Sequence, residues 1–330
     1  MKGTSMKVFI TQPLEQEAIT MLENAGIETV CSGVSRPLTR GEFLDGIKDA
    51  DGVIFVWHTE ELDKEAFDHA PKLKIAARRG VGYDNIDIEE AARRGVDVTV
   101  TPVHTHTIAD LTFGLMINAA RKLHHADAFV RGGHWTEAGT WVAQRFMGFD
   151  VSYKTIGIIG FGKIGKHMAK RARGFDMEVL YSDVIRQPEA EKELGATFVS
   201  LDELYARADF ISVNCALTEK TRRMIDAKAI AKMKETAVIV LSARGGIVDE
   251  EALYQALSTG KLGAAGLDVF EEEPVSPDNP LLKLENTAFS PHLGTSVMET
   301  RIRMATTAAE DVIRVLNQQE PIYSLLKRAG

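Results

Sequence analysis

The chain has 330 residues, more than one hydrophobic core usually supports, so two domains are expected. Its 45% hydrophobic and 26% charged residues are ordinary for a globular protein, and a net charge of −8 argues against nucleic-acid binding. Cys31 and Cys215 belong to no metal-ligand pattern, and no signal or membrane-length apolar segment is evident, which predicts a cytoplasmic protein without metal or membrane partner.

Short apolar runs alternate with longer amphipathic stretches, the pattern of βαβ units and a parallel sheet. The first third predicts a small α/β domain whose first helix opens at Pro13 and stops at Gly26. Its predicted strands are Lys7–Thr11, Gly52–Trp57, Leu73–Arg78 and Val96–Thr101.

One long helix is then predicted from Thr107 to about Arg131, because apolar residues recur every three or four positions. The segment Gly132–Asp150 lacks such a period and is predicted to be a loop-rich arm.

A second α/β series begins at Lys154, and a last helix is predicted at Thr295–Asn317. The two series predict an α/β fold with two Rossmann-type domains, parallel sheets and an interdomain cleft. The strands predicted in the second series are Thr155–Gly160, Glu178–Ser182, Asp209–Asn214, Ala237–Leu241, Ala264–Phe270 and Thr287–Ser290.

A glycine fingerprint follows the first strand of this second series. Gly160 permits a tight turn, Gly162 lets the backbone approach a pyrophosphate, and Gly165 lets helix and strand pack closely. A lone pattern of this kind is weak evidence, but the strand before it and the helix candidate after it fit a dinucleotide site.

Asp183 ends the next strand, eighteen residues past Gly165. A carboxylate there accepts hydrogen bonds from the adenosine ribose and repels a 2′-phosphate, which favours NAD over NADP. The alternatives are that Asp183 is an ordinary turn acid, or that the nearby Arg186 accommodates a phosphate.

Three kinds of charged residue follow three later strands of the series: Arg244, the acidic run Glu271–Glu273, and His292. An arginine suits a substrate carboxylate, and a histidine suits a carbonyl oxygen that must gain a proton. A carboxylate beside the histidine stabilises its imidazolium form. Taken alone, each has a non-catalytic alternative. Arg244 could contact a phosphate, Glu271–Glu273 could be a solvated loop, and His292 could make a structural hydrogen bond. Together, behind a nicotinamide-type fingerprint, they predict reduction of a 2-oxo acid.

The ordered motifs resemble the D-isomer-specific 2-hydroxyacid dehydrogenase family, most closely its glyoxylate/hydroxypyruvate reductase branch. The segments that carry the resemblance are the glycine fingerprint, Asp183, Arg244-Gly245, Gly266–Pro274, Ser290–Gly294 and, in the first domain, Gly80–Asp87.

The resemblance implies a substrate-binding, flavodoxin-like domain at 1–102 and 295–330. It implies an NAD-binding domain at 103–294, a dimerisation arm at about 107–150, and a homodimer. Arg244, Glu273 and His292 would be catalytic, and Val81, Gly82, Arg244 and His292 would bind the substrate. The implied NAD contacts are Gly160, Gly162, Lys163, Ile164, Gly165, Asp183, Cys215, Ala216, Thr221, Ser242, Ala243, Asp268, His292, Gly294 and Thr107.

Several alternatives stay open. His104 and His106 suggest substrate or metal ligands, although surface or capping roles suit two histidines without a third ligand. Trp141 matches either a position that reaches a neighbour's pocket or a packing residue of the arm. An NAD-sensing, corepressor-like protein, or a phosphite, formate or phosphoglycerate dehydrogenase, is the rival function.

Overall fold

The computed structural model describes residues 6–57, 59–138 and 142–326, and the chain divides into two compact units. Unit 1 comprises Met1–His104 and Thr295–Gly330, and unit 2 comprises Thr105–Gly294. Trp141, for which two roles are open, lies outside the described residues.

Unit 1 begins with a regular alternation of strands and helices. Its strands are β1 (Lys7–Ile10), β2 (Glu28–Cys31), β3 (Gly52–Phe55), β4 (Ile75–Arg78) and β5 (Asp97–Thr99). The helices between them are α1 (Gln16–Asn24), α2 (Arg40–Ile47), α3 (Lys64–His69) and α4 (Ile88–Arg94).

The five strands are parallel and pair in the order β2-β1-β3-β4-β5, which is the flavodoxin-like arrangement. Both faces are covered, because neighbouring residues of β3 enter different cores: Ile54 packs on one side and Phe55 on the other. Continuous apolar strands are therefore expected, as observed for β3 and β4.

Unit 2 opens with helices and continues as a second strand–helix series. Its helices are α5 (Thr105–Arg121), α6 (Leu123–Arg131), α7 (His134–Ala138), α8 (Lys163–Arg173), α9 (Pro188–Leu194), α10 (Leu201–Arg207), α11 (Ala227–Ile230) and α12 (Glu250–Ser258). Its strands are β6 (Thr155–Ile159), β7 (Glu178–Ser182), β8 (Ala196–Phe198), β9 (Phe210–Val213), β10 (Val238–Leu241), β11 (Ala264–Leu267) and β12 (Thr287–Phe289). Short 3₁₀ helices lie at Ala143–Phe146, Gly245–Ile247 and Pro280–Lys283.

The seven strands of unit 2 are parallel in the order β12-β11-β10-β9-β6-β7-β8. The direction of winding changes between β6 and β9, so this sheet is a doubly wound, Rossmann-type sheet. Ligands bind such sheets beyond the carboxyl ends of the strands, where the glycine turn, Arg244 and His292 all lie.

The last helix, α13 (Met298–Leu316), returns to unit 1 and packs against α1 and β4. Buried residues of α13, Ala305 and Val312 among them, complete one of the two cores of unit 1. None of the helices in the described part of the chain combines the length and the apolar character that a membrane span requires.

One prediction about the helices is wrong. The stretch from Thr107 to Arg131 is two helices, because Lys122 takes a left-handed conformation with φ 52°. Asn118 Oδ1 accepts a hydrogen bond from the backbone N–H of His124 at 3.0 Å and satisfies an amide at the break. The predicted loop-rich arm also contains α7 and a 3₁₀ helix.

Candidate active site

The turn after β6 requires two of its glycines for steric reasons. Gly160 has φ +89°, and a Cβ there would lie 2.7 Å from the backbone nitrogen of Cys215. A Cβ at Gly165 would lie 2.2 Å from the carbonyl oxygen of Gly160. Both positions therefore exclude a side chain, and the predicted roles of these glycines in the turn and in helix–strand packing have a direct structural basis.

Gly162 differs, because a Cβ there would meet none of the described residues within 4 Å, its immediate chain neighbours aside. It is the N-cap of α8 and has no side chain to accept the N–H groups of the first turn, which includes Lys163 and Ile164. An open glycine at the positive end of an eleven-residue helix suits a pyrophosphate. The residues present fit the predicted dinucleotide.

Asp183 lies against this glycine turn. Its Oδ2 accepts a hydrogen bond from the backbone N–H of Phe161 at 2.5 Å, and Gln187 Nε2 donates to the Phe161 carbonyl at 3.0 Å. The ring of Phe161 stacks on Tyr181 with centroids 3.9 Å apart. The carboxylate is thus fixed beside the turn, where a ribose diol would lie if the phosphates sat at Gly162.

The carboxyl end of β9 forms the other side of the turn. Asn214 N donates to the carbonyl of Ile159 at 2.7 Å, which places Cys215 next to Gly160. Thr221 Oγ1 donates to the carbonyl of Ala216 at 2.6 Å and closes the loop that follows. Burial raises the pKa of the Cys215 thiol to about 11, so this thiol is protonated at neutral pH.

The remaining predicted cofactor positions of unit 2 lie near the ends of α5 and β10. Thr107 is buried in the first turn of α5. Ser242, just past β10, shares a 2.5 Å hydrogen bond with Thr112 of α5. The carbonyl of Ala243 accepts from Arg244 Nη1 at 2.8 Å. Contact of these residues with NAD stays a prediction.

The predicted acid–histidine pair is formed. Nδ1 of His292 lies 2.6 Å from Oε2 of Glu273, and both side chains are partly exposed. Glu273 Oε1 accepts the backbone N–H of Phe270 at 3.0 Å, so the carboxylate is held from both sides. The pairing through Nδ1 directs Nε2 of the same ring elsewhere, and Nε2 is the atom suited to exchange a proton with a substrate.

Asp268 holds the loop that carries His292. The side chain of Asp268 is buried, and its carboxylate accepts hydrogen bonds from Ser290 Oγ at 2.5 Å, Leu293 N at 2.8 Å and Gly294 N at 3.1 Å. The His292 N–H donates to the Asp268 carbonyl at 2.8 Å. These bonds maintain the uncommon left-handed backbone of His292, φ 53°. Burial raises the pKa of Asp268, and the three hydrogen bonds oppose that rise.

Arg244 follows β10, which pairs with β11 in register, and β11 pairs with β12. A Cβ at Gly245 would lie 1.9 Å from the carbonyl carbon of Phe270, so the segments after β10 and β11 are in direct contact. Glu271 pairs with Arg223 at 3.0 Å. Within the acidic run, Glu271 thus has a partner other than His292, and Glu273 is hydrogen-bonded to His292.

In unit 1 the loop after β4 carries Val81 and Gly82. Arg78, itself buried, donates from Nε to the Gly82 carbonyl at 3.0 Å and from Nη1 to the Val56 carbonyl at 3.0 Å. A buried guanidinium thus fixes this loop, while Val81 is exposed. The role of Val81 and Gly82 toward a substrate stays a prediction.

The two histidines at the start of α5, His104 just before the helix and His106 in its first turn, differ in surroundings. His104 is buried, whereas His106 lies with its ring centroid 6.1 Å from that of His167, and its carbonyl accepts from Arg171 Nη2 at 3.0 Å. These contacts favour the structural alternative for His106.

Sequence reasoning missed the supporting residues. Ser290 and Gln187 bind Asp268 and the glycine turn, respectively, and no role was predicted for either residue. A signal for Ser290 did exist, because a buried strand-end aspartate needs donors and Ser290 lies two residues before His292.

Comparison with known proteins gives a consistent result. Residues 113–294 match the family model described as D-isomer specific 2-hydroxyacid dehydrogenase, NAD binding domain. A glyoxylate reductase of Korarchaeum cryptofilum is 44% identical over 93% of this chain and 92% of its own length. A glyoxylate reductase of Thermococcus litoralis is 43% identical over 96% of this chain and 95% of its own. The crystal structure of a glyoxylate reductase from Paecilomyes thermophila matches with a TM-score of 0.86 and 31% identity, covering 99% of this chain and 100% of that one.

Proposed function

Because this chain belongs to the D-isomer specific 2-hydroxyacid dehydrogenase family, we propose that it reduces glyoxylate and similar short 2-oxo acids with NADH. The product is the 2-hydroxy acid, of D configuration where C2 is chiral. The observation that carries the proposal is the 2.6 Å contact between Glu273 and His292 at the strand ends of the sheet that bears the glycine turn.

Gly160, Gly162, Gly165 and the first turn of α8 would hold the pyrophosphate of NADH, and Asp183 would hold its adenosine ribose. NADH, when bound, supplies the hydride that adds to the carbonyl carbon of the oxo acid.

The protein's own side chains stabilise the charge that develops on the substrate and supply the proton. His292 gives a proton from Nε2 to the carbonyl oxygen, which becomes the hydroxyl oxygen of the product. Glu273 stabilises the imidazolium before that transfer and fixes the ring through Nδ1. Arg244 binds the substrate carboxylate and offsets the negative charge that develops on the carbonyl oxygen.

The names of the relatives support glyoxylate as substrate, since several that match over more than nine-tenths of this chain are glyoxylate reductases. These relatives do not favour the NAD-sensing or phosphite alternatives. A D-3-phosphoglycerate dehydrogenase of Methanocaldococcus jannaschii is also 42% identical over 94% of this chain, which spans 57% of that protein. Phosphohydroxypyruvate therefore belongs in the substrate panel.

The test is NADH oxidation, followed by absorbance, with glyoxylate, hydroxypyruvate, pyruvate and phosphohydroxypyruvate, and with NADPH in parallel. We expect the highest kcat/KM with glyoxylate or hydroxypyruvate. Arg244→Ala should lower kcat/KM about a thousandfold through loss of charge-assisted bonds to the reacting group. Arg244→Lys is the matched control that keeps the charge and loses the two-pronged geometry. Tight NADH binding without turnover of any oxo acid would refute the proposal.

A homodimer in the cytoplasm is part of the same proposal. Leu123, Val130 and Trp135 are exposed apolar residues on the helices of the arm, which supports a covering partner copy. Cys31 and Cys215 are both free thiols, in keeping with a reducing compartment. Sedimentation equilibrium of the parent and of Val130→Glu should give a dimer and a monomer, respectively, and cell fractionation tests the location.

A further inference from the structure

Arg186 lies three residues past Asp183, in the region where a cation would meet the 2′-phosphate of NADP. The two residues between them are open to solvent, with Val184 97% and Ile185 68% exposed. Position and charge alone would therefore make Arg186 a phosphate ligand and would weaken the preference for NAD that Asp183 sets.

The hydrogen bonds of Arg186 instead hold its guanidinium against Glu191. Its Nε and Nη2 donate to Oε1 and Oε2 of Glu191, both at 3.0 Å, so one edge of the guanidinium is occupied by one carboxylate. The Arg186 side chain is 62% exposed, but that of Glu191 is 14% exposed. The carboxylate is the fixed member of the pair, and the arginine is drawn to it.

Glu191 is fixed by a second hydrogen bond, from Tyr181 of β7. Tyr181 donates its hydroxyl hydrogen to Glu191 Oε1 at 2.7 Å and accepts the backbone N–H of Gln187 at 2.9 Å. The hydrogen bond from Arg186, with that from Tyr181 second, holds the pKa of Glu191 below its usual range, so the carboxylate is charged at neutral pH. Tyr181 in turn stacks on Phe161 of the glycine turn.

We propose that Glu191 is a positioning residue that keeps Arg186 away from the 2′-phosphate of NADPH and thereby strengthens selectivity for NADH. The inference rests on the proposed cofactor site and concerns a residue outside it. For Arg186 to bind a 2′-phosphate, it must leave a carboxylate that matches its geometry, and the phosphate must also approach Asp183. The two carboxylates thus act together: Asp183 repels the 2′-phosphate, and Glu191 keeps Arg186 from binding it.

The test measures binding of 2′,5′-ADP and of ADP to the full chain by isothermal titration calorimetry, without any oxo acid. Glu191→Gln keeps the size of the side chain and an acceptor for Tyr181, but removes the charge that holds Arg186. We expect its Kd for 2′,5′-ADP to fall about threefold to fivefold, the upper part of the range for an exposed charge pair. The Kd for ADP should stay within about twofold, since no group that faces ADP has changed.

Two controls separate this role from a structural one. In Glu191→Gln/Arg186→Gln the gain for 2′,5′-ADP should vanish, because the gain requires the released arginine. Arg186→Gln alone should leave 2′,5′-ADP binding near the parent value, and this variant keeps the test valid if Glu191→Gln fails to fold. Equal changes for both ligands in Glu191→Gln, a gain that persists without Arg186, or a large loss in Arg186→Gln alone would each overturn the inference. Since these are binding measurements, failure of oxo acid turnover would refute the proposed function without deciding this result.

Discussion

Alanine substitution at two glycines of the turn after β6 should separate folding from cofactor binding. At Gly165 a Cβ would lie 2.2 Å from the carbonyl oxygen of Gly160 and 3.1 Å from Cγ2 of Ile158. The oxygen belongs to the backbone of a tight turn, so relief requires a shift of about 1 Å in packed structure, which typically costs about 1–3 kcal/mol. For a domain the size of unit 2, the unfolding midpoint should fall by roughly 2–12 °C.

Gly162→Ala is the matched control. Its Cβ would enter open space, and the backbone at φ −70° and ψ −163° is accessible to alanine. Stability should therefore stay within about 1 kcal/mol of the parent, because a less favourable N-cap is offset by lower entropy of the unfolded chain. The same methyl group would occupy the approach of the pyrophosphate, so a cost of about 1–3 kcal/mol should raise the Kd for NADH roughly 5- to 150-fold.

Thermal unfolding followed by fluorescence and titration of NADH fluorescence give the two quantities on the same samples. The expected pattern is a folded Gly162→Ala that binds NADH weakly and a destabilised Gly165→Ala. Parent-like NADH binding by Gly162→Ala would refute the assignment of the open glycine to the phosphates. Parent-like stability of Gly165→Ala would refute the steric argument.

Three further predictions follow from the site and its surroundings. Glu273→Gln should slow glyoxylate reduction roughly tenfold to hundredfold at neutral pH, the value of one charge-assisted hydrogen bond to His292, with NADH affinity retained; unchanged steady-state turnover would contradict it. Iodoacetamide at about pH 8 should label the exposed Cys31 well before Cys215, whose thiol has a pKa of about 11, and mass mapping that finds equal labelling would count against this. Burial first, and neighbouring positive charge second, lower the pKa of His167, so the unfolded chain binds more protons below the ordinary value of 6.5 and stability falls as pH drops through it. Urea unfolding at about pH 7.5 and pH 5.5 should show that the free energy of unfolding falls less with pH in His167→Gln than in the parent. An equal fall in both proteins would exclude this contribution of His167 to acid sensitivity.

The central strands were predictable because each is a short apolar run that both faces of the sheet bury. The predicted strand Glu178–Ser182 has the observed bounds of β7. The strand predicted to reach Phe270 ends at Leu267, because Val269 and Phe270 are buried in the loop and extend the apolar run beyond the ladder. A buried loop and a buried strand both appear in a sequence as a short apolar run, so the sequence does not show where the strand ends.

The edge strands β2 and β8 were not predicted, since half of their residues or more are exposed and their sequences show no apolar run. The break at Lys122 was missed for a different reason. A lysine in a left-handed conformation carries no sequence signal, and Asn118, which satisfies the exposed amide, lies inside the preceding helix.

For the site, residue types after successive strands predicted that the acidic run Glu271–Glu273 lies near His292, because topology brings neighbouring strand ends together, and the family resemblance selected Glu273 as the partner that the structure shows. The dependence of His292 on the carboxylate of Asp268, and of Arg186 on Glu191, rests on side-chain directions within loops. Such directions follow from tertiary packing and have no period that a sequence could display.

The return of α13 to unit 1 also fixes an order of events during synthesis. Residues 298–316 leave the ribosome after all of unit 2, so the Rossmann-type unit has its complete sequence in solution while the flavodoxin-like unit still lacks a helix that closes one of its cores. The part of the chain that is made first therefore completes its folding last, and the apolar faces of α1 and β4 stay exposed until α13 has left the ribosome. A released chain truncated after residue 295 should therefore have a protease-resistant second unit and a protease-sensitive first one.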